Sequence, residues 1–368
     1  MSNFDPQLLQ SFIGHRGTIT SIDINAKSIV SASEDSSIQV WHLDSSSRPF
    51  RYIGHKGPVY DVCFSPSGES ILSGSRDECI KEWKISVEGK STTWRAHNGC
   101  VRSVGYSTDG RLIISASEDK SIKLWTSSDH RFQLSLTGHT NSVKSAKFSS
   151  DTRMILSTSD DKTLKVWDVP AQTCVQQFTC DFALNSGRFH PDGTCIAAGT
   201  TDGKVKLWDL RSQRIVQVYN SHNDEVLSVD FHPGGDFLSS GSKDTSVKIW
   251  DLRQGHCLYT LLGHQQGVSA IKYNGNGDCF ATGSFDSQVM LWKGNTLSKS
   301  LAASKKPVMK NKEDGVNGQK VSEELSGTLS KLVAQLDMVT RAMVMLDQRI
   351  SNFEEHIARI TERINAME

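Results

Sequence analysis

Serine, histidine and aspartate are the parts of a hydrolytic nucleophile–base–acid set, and this 368-residue chain carries them in one frame again and again. Seven of its eight tryptophans, Trp41, Trp83, Trp125, Trp167, Trp208, Trp250 and Trp292, are spaced by 41 or 42 residues. Six residues before each stands an aspartate: Asp35, Asp77, Asp119, Asp161, Asp202, Asp244 and Asp286. Eight residues before each stands a hydroxyl: Ser33, Ser75, Ser117, Ser159, Thr200, Ser242 and Ser284. Six of the seven units also carry an upstream histidine, namely His15, His55, His97, His139, His222 and His264. An enzyme needs one such set, so sevenfold repetition points to structure and not to turnover. The physical reading is a polar chain. A buried indole N–H demands an acceptor. The hydroxyl accepts it and donates onward to the histidine, whose other nitrogen meets the aspartate. Fully satisfied, such a chain stiffens its unit; half-satisfied, it is costly. Repetition also argues against a metal site, because each histidine sits in a separate unit, far along the chain from the next.

To converge, these four residues need a unit that folds back on itself. Between histidine and tryptophan each unit reads as short apolar-alternating strands, broken by turns such as Ser65-Pro-Ser-Gly68 and His232-Pro-Gly-Gly235. The pattern resembles the WD40 repeat from about residue 6 to residue 293. The Trp-Asp dipeptide itself stands only at Trp167, Trp208 and Trp250, so the aspartate, hydroxyl and histidine positions carry the resemblance. It implies four strands per unit and an all-β seven-bladed propeller over residues 1–293, leaving only short, protected sheet edges. The fifth unit reads Thr179-Cys180-Asp181-Phe182 where histidine is expected and is one residue shorter. Both a tolerated loss in one of seven units and a specialised contact loop fit this departure. After Trp292 no outer strand follows, whereas Leu8-Leu-Gln-Ser-Phe-Ile-Gly-His15 matches one, so residues 7–13 are expected to close the last blade.

Composition bounds the rest. With 41 basic and 41 acidic residues there is no global pull toward nucleic acid or anionic lipid. No stretch approaches the ~18–20 apolar residues of a membrane span, and the amino terminus lacks the pattern of a secretion signal. Eight cysteines without a CxxC pair read as ordinary thiols of a reducing compartment. The expectation is a soluble intracellular protein without cofactor, metal, nucleic-acid or membrane partner. Residues 294–321 form a lysine-rich stretch without periodicity, expected to be a flexible basic linker. From there a heptad pattern takes over. Leu329, Leu336, Met343, Ile350, Ile357 and Ile364 fall at a, with Leu325, Leu332, Val339, Leu346, Phe353, Ile360 and Met367 at d. Residues 322–368 are therefore expected to form an α-helical coiled coil and to make the chain a homo-oligomer, with docking of the same stripe on another protein's helix or back on the propeller left open. In a parallel pairing Arg349 faces Glu354, which favours that orientation.

No phosphate loop, metal cluster or isolated nucleophile–base pair suggests an enzyme. The resemblance to WD40 domains implies a partner-binding face made by residues just before each aspartate and early in each inner strand. Tyr60, Arg76, Arg102 and Lys144 would gather on blades two to four, with Lys243 and Phe285 further round. An aromatic among cations suits an acidic partner. A closer resemblance is to the proteome-of-centriole (Poc) WD40 proteins. It rests on the propeller starting near residue 1, the fifth unit without histidine, the lysine-rich linker and the terminal coiled coil. It also rests on the stretches Arg102–Arg111, Ser115–Trp125 and Met345–Ile350. This resemblance implies a scaffold of the centriole and cilium basal body, in the cytoskeleton, with tubulin of the centriolar microtubules and other centriole proteins as partners. Two other classes stay open. Trp208-Asp-Leu-Arg211 and Trp250-Asp-Leu-Arg253 match a short motif of WD40 receptors for cullin-type ubiquitin ligases. A regulatory subunit of a microtubule-severing or motor complex is the other.

Overall fold

The structure, a computed structural model, describes residues 6–43 and 48–294. The linker from residue 295 onward and the whole coiled-coil seam lie outside the described residues.

Each repeat folds because its apolar residues alternate with small or polar ones, the period of a pleated strand. Blade four is typical. Its inner strand Val143–Phe148 pairs antiparallel with Met154–Ser159, which pairs with Thr163–Asp168, which pairs with the outer strand Thr173–Thr179. The described residues hold seven such four-stranded sheets, and this is a seven-bladed all-β WD40 propeller. The turn before each third strand needs one left-handed residue, and Lys162 takes it in blade four with φ 65°. Glycine fills that place only in blade five, as Gly203.

The seventh sheet closes the ring. Gln7–Ile13 pairs with Gln288–Lys293, Leu8 opposite Trp292 and Ile13 opposite Gln288. Phe12 of that strand is buried and packs 5.4 Å from the ring of Trp41 in blade one. The core lies between blades, one apolar cluster per seam. Ile114, Leu124 and Leu136 of blade three, for example, meet Val143, Ile155 and Trp167 of blade four. Each fully buried aliphatic side chain there contributes ~1.5–3 kcal/mol.

Side chains also staple neighbouring inner strands. Asp23 accepts the Phe64 N–H at 2.8 Å, Asp61 the Val104 N–H at 2.9 Å and Asp230 the Tyr273 N–H at 2.9 Å. Ser269 donates to the Ile19 carbonyl at 2.5 Å across the closing seam. The outer strands present free edges, a pairing hazard. Five of them carry a register shift beside the repeat tryptophan or, in the closing strand, between Leu8 and Gln10. A bulge there twists the edge away from regular pairing.

Candidate functional site

The polar chain is present in six blades, but with a different hydroxyl from the expected one. In blade four Trp167 Nε1 donates to Ser157 Oγ at 2.8 Å. Ser157 Oγ meets His139 Nε2 at 2.7 Å, and His139 Nδ1 meets Asp161 Oδ2 at 2.8 Å. The equivalent hydroxyls are Ser31, Ser73, Ser115, Ser240 and Thr282, each bonded to Trp41, Trp83, Trp125, Trp250 and Trp292 at 2.8–2.9 Å. They lie ten residues before the tryptophan, not eight. Ser33, Ser75, Ser117, Ser159, Ser242 and Ser284 sit one strand period further on and accept instead the N–H of Asp35, Asp77, Asp119, Asp161, Asp244 and Asp286 in the following turn. Residues i and i+2 of a strand share a face. The one nearer the middle of the strand is level with the indole, and the one at the strand end caps the turn. Blade five held the signal that separates them: it lacks the histidine and has Ala198 ten before Trp208, yet keeps Thr200 eight before. Thr200 there donates to Asp202 and to the Lys204 carbonyl, the latter at 2.8 Å.

The aspartates do more than orient imidazoles. Asp161 also accepts the N–H groups of Thr140 at 2.9 Å and Thr163 at 2.9 Å, tying the loop after the histidine to the turn before the third strand. Burial alone would raise these carboxyls, but the donated hydrogen bonds outweigh it and hold Asp35, Asp77, Asp161 and Asp244 at about 2. Burial acts the other way on the imidazoles and lowers His15, His139, His222 and His264 below their ordinary value despite the carboxylate beside each. Neutral imidazole is the form the geometry needs, with Nδ1–H toward the aspartate and Nε2 free to accept from the hydroxyl. None of these serines faces an open cleft as a nucleophile must; all are buried struts.

A further repeated residue went unread in the sequence. Lysine stands two before the tryptophan in five consecutive units: Lys81, Lys123, Lys165, Lys206 and Lys248. Lys123 and Lys165 lay their stems along the sheet and donate to the carbonyls of Ala96 and Gly138, each just before the repeat histidine, at 2.8 and 2.6 Å. The signal was a Lys-x-Trp spacing kept in five of the seven units.

At the centre of the ring the inner strands enclose a small polar mouth of about 110 Å³. Tyr60, Arg102 and Lys144 all line it. Arg76, Lys243 and Phe285 do not line it: Arg76 and Lys243 are exposed on loops around it, and Phe285 lies half-buried against Gly267. The Arg102 guanidinium stacks 4.1 Å over the Tyr60 ring and pairs with Glu118 at 2.6 Å. Lys144 pairs with Asp160 at 3.0 Å. Arg76 has no ion pair among the described residues. Deeper in the channel the sequence reading missed a second charged layer. Lys147 bonds Asp61 at 2.7 Å and the Val104 carbonyl at 2.7 Å. Arg188 and Lys272 flank Asp230, each at 3.2 Å. Burial would raise the Asp61 carboxyl, but Lys147 holds it below the usual range; Asp23, buried without a cation in contact, is raised.

Seven blades, six of them built on a Trp–Ser/Thr–His–Asp chain, with a polar mouth where their inner strands meet, define a WD-repeat propeller, a class that binds partners and is generally non-enzymatic. A family model for the WD domain, G-beta repeat, matches residues 6–42 and 255–293. Just over half of the chain, residues 58–253, matches the family described as the IFT122 first beta-propeller, and the chain belongs to that family. Among curated proteins it is similar to POC1 centriolar protein homolog A of Bos taurus, 43% identical over 49 residues, and of Xenopus laevis, 47% over 50 residues. It is also similar to Target of rapamycin complex subunit LST8 of Saccharomyces cerevisiae, 38% identical over 65 residues. These matches cover 13%, 13% and 17% of this chain and only 12%, 11% and 21% of the respective relatives.

Proposed function

We propose that this chain is a non-enzymatic scaffold of the centriole and basal body that binds and stabilises centriolar microtubules and supports cilium assembly. The observation that supports this reading is the cationic sector around the mouth, where Tyr60, Arg102 and Lys144 line one opening and Arg76 stands exposed beside them. The two matches to centriolar proteins point the same way. Tubulin, with its acidic surface, is the partner such a sector suits.

On this reading the contact made by one propeller is weak. Arg102 and Lys144 already hold Glu118 and Asp160, so an incoming carboxylate competes with a partner in place. Exposed pairs contribute ~0–1 kcal/mol each and are screened by salt. Self-association through residues 322–368 would make later contacts intramolecular and raise apparent affinity by ~10²–10⁴. The test is photobleaching recovery at centrioles. Full-length protein should recover more slowly than residues 1–293, and replacing the tail with an unrelated parallel dimer should restore the slow exchange. Equal recovery of propeller and full chain removes the avidity reading.

A further inference from the structure

Behind the mouth the channel is built in rings. The fifth residue of each six-residue inner strand contributes to one of them: Asp23, Cys63, Gly105, Lys147, Arg188, Asp230 and Lys272. Five of these are charged, but the neighbours Cys63 and Gly105, on blades two and three, are small and leave a gap. A cavity of about 300 Å³ occupies it, lined by Asp23, Cys63 and Gly105 from blades one to three and by Lys147, Arg188 and Lys272 from the others. Pro66 and Thr108, both exposed in the turns that end the strands, rim this cavity. Asp61, Lys147 and Arg188 line both it and the mouth, and so lie between the two. The volume suits a small ligand.

The charges of the ring do not balance. Asp61, from the layer nearer the mouth, holds Lys147 at 2.7 Å. Asp230 stands between two cations, 3.2 Å from Arg188 and 3.2 Å from Lys272. Asp23 accepts the N–H groups of Ile24 and Phe64 at 3.0 and 2.8 Å, has no ion pair among the described residues, and is raised by burial. The unmatched cation is Arg188. Lys272 donates a hydrogen bond to Asp230, whereas Arg188 Nε is buried and has no acceptor in line. Among the described residues the Arg188 guanidinium donates no hydrogen bond at all. A buried charged donor left bare is costly. The Nε–H and the N–H beside it form a planar fork that matches the two oxygens of one carboxylate. A phosphate dianion would bring two charges to one spare cation, beside the carboxylates of Asp61 and Asp230. We infer that the gap at Cys63 and Gly105 is a carboxylate-binding site, in which the Arg188 fork holds both oxygens of a small organic acid or of an acidic side chain from a partner. This inference does not rest on the function proposed above.

The experiment uses the full chain and saturation-transfer NMR, which detects weak binding on the probe's own signals. The probe is butyrate, with butyramide as the neutral control and ionic strength held constant. Butyrate should show saturable transfer and butyramide none, and inorganic phosphate should displace butyrate only at higher concentration. Arg188→Lys keeps the charge but loses the fork, and should weaken binding by about fivefold or more. Cys63→Phe fills the gap without touching a charge and should abolish binding, while Arg153→Lys, on the exposed surface, should leave it unchanged. Thermal melts check that each variant is folded; if Arg188→Lys is not, Cys63→Phe decides. A blocked peptide with one glutamate among glycines separates the two sources. Displacement of butyrate by less peptide than butyrate itself requires assigns the site to a partner's side chain, and weaker displacement assigns it to a free acid. No transfer to butyrate, equal transfer to butyramide, displacement by phosphate at equal or lower concentration, or undiminished binding in either folded variant of the site overturns the inference.

Discussion

Ser157→Ala and Ser159→Ala differ by one strand period and should differ sharply in cost. Ser157 is fully buried and holds both the Trp167 indole at 2.8 Å and the His139 imidazole at 2.7 Å. Removing its oxygen strands one buried donor and leaves the imidazole Nε2 without its partner. At ~1–3 kcal/mol per unsatisfied buried group, the loss is about 2–4 kcal/mol. Ser159 is equally buried, but it accepts the Asp161 N–H at 3.1 Å and reaches the Asn141 carbonyl at 3.3 Å, longer bonds to residues that are themselves half-buried and exposed, so its loss is about 0.5–1.5 kcal/mol. For a domain of this size ~1 kcal/mol shifts Tm by roughly 2–4 °C. Thermal melts of the full chain, followed by near-UV circular dichroism, should therefore show a drop of about 4–16 °C for Ser157→Ala and of about 1–6 °C for Ser159→Ala. An equal or larger drop for Ser159→Ala would refute the assignment of the indole acceptor.

Acidification should destabilise the propeller in two stages. Unfolded histidines take up protons near pH ~6.5 while the buried ones resist, so stability falls as pH drops below that value. A second fall between pH ~4 and ~2 follows from aspartates held at about 2 against ~3.9 unfolded; flat stability from pH 7 to 3 in urea titrations contradicts both. Deleting residues 1–13 removes the strand opposite Gln288–Lys293 and the Phe12–Trp41 contact, and should give aggregation or a lower Tm; a soluble truncation with unchanged melting would contradict the closure. Lys147→Met leaves Asp61 buried without its cation and should cost about 3–5 kcal/mol, whereas Lys84→Met on the exposed surface should cost less than ~0.5 kcal/mol; equal urea midpoints for the two would show that the channel pair is not structural.

Much of this fold was readable because repetition averages out local ambiguity. One strand of four to eight apolar-alternating residues could be many things, but seven in register with Asp and Trp leave little choice. The closing strand at Gln7–Ile13 was readable as a missing piece and not from its own sequence. The hydroxyl was misplaced because Ser157 and Ser159 point the same way and are equally buried, and only their place in the strand register distinguishes them. The channel charges were unreadable for a different reason. Asp61, Lys147, Arg188 and Asp230 lie on different blades, far apart in sequence, and only ring closure brings them together. At the mouth the sequence did place Tyr60, Arg102 and Lys144 on one opening, but residues before each aspartate, such as Arg76 and Lys243, sit on loops that do not reach it.

Co-sedimentation with stabilised microtubules tests the central functional claim most directly. Full-length protein should pellet with microtubules at low salt and progressively less as salt rises, since the contact is electrostatic. The Arg76→Glu, Arg102→Glu, Lys144→Glu variant, checked for an unchanged melt, should stay largely in the supernatant. Pelleting of this variant equal to that of the unaltered chain would contradict the account.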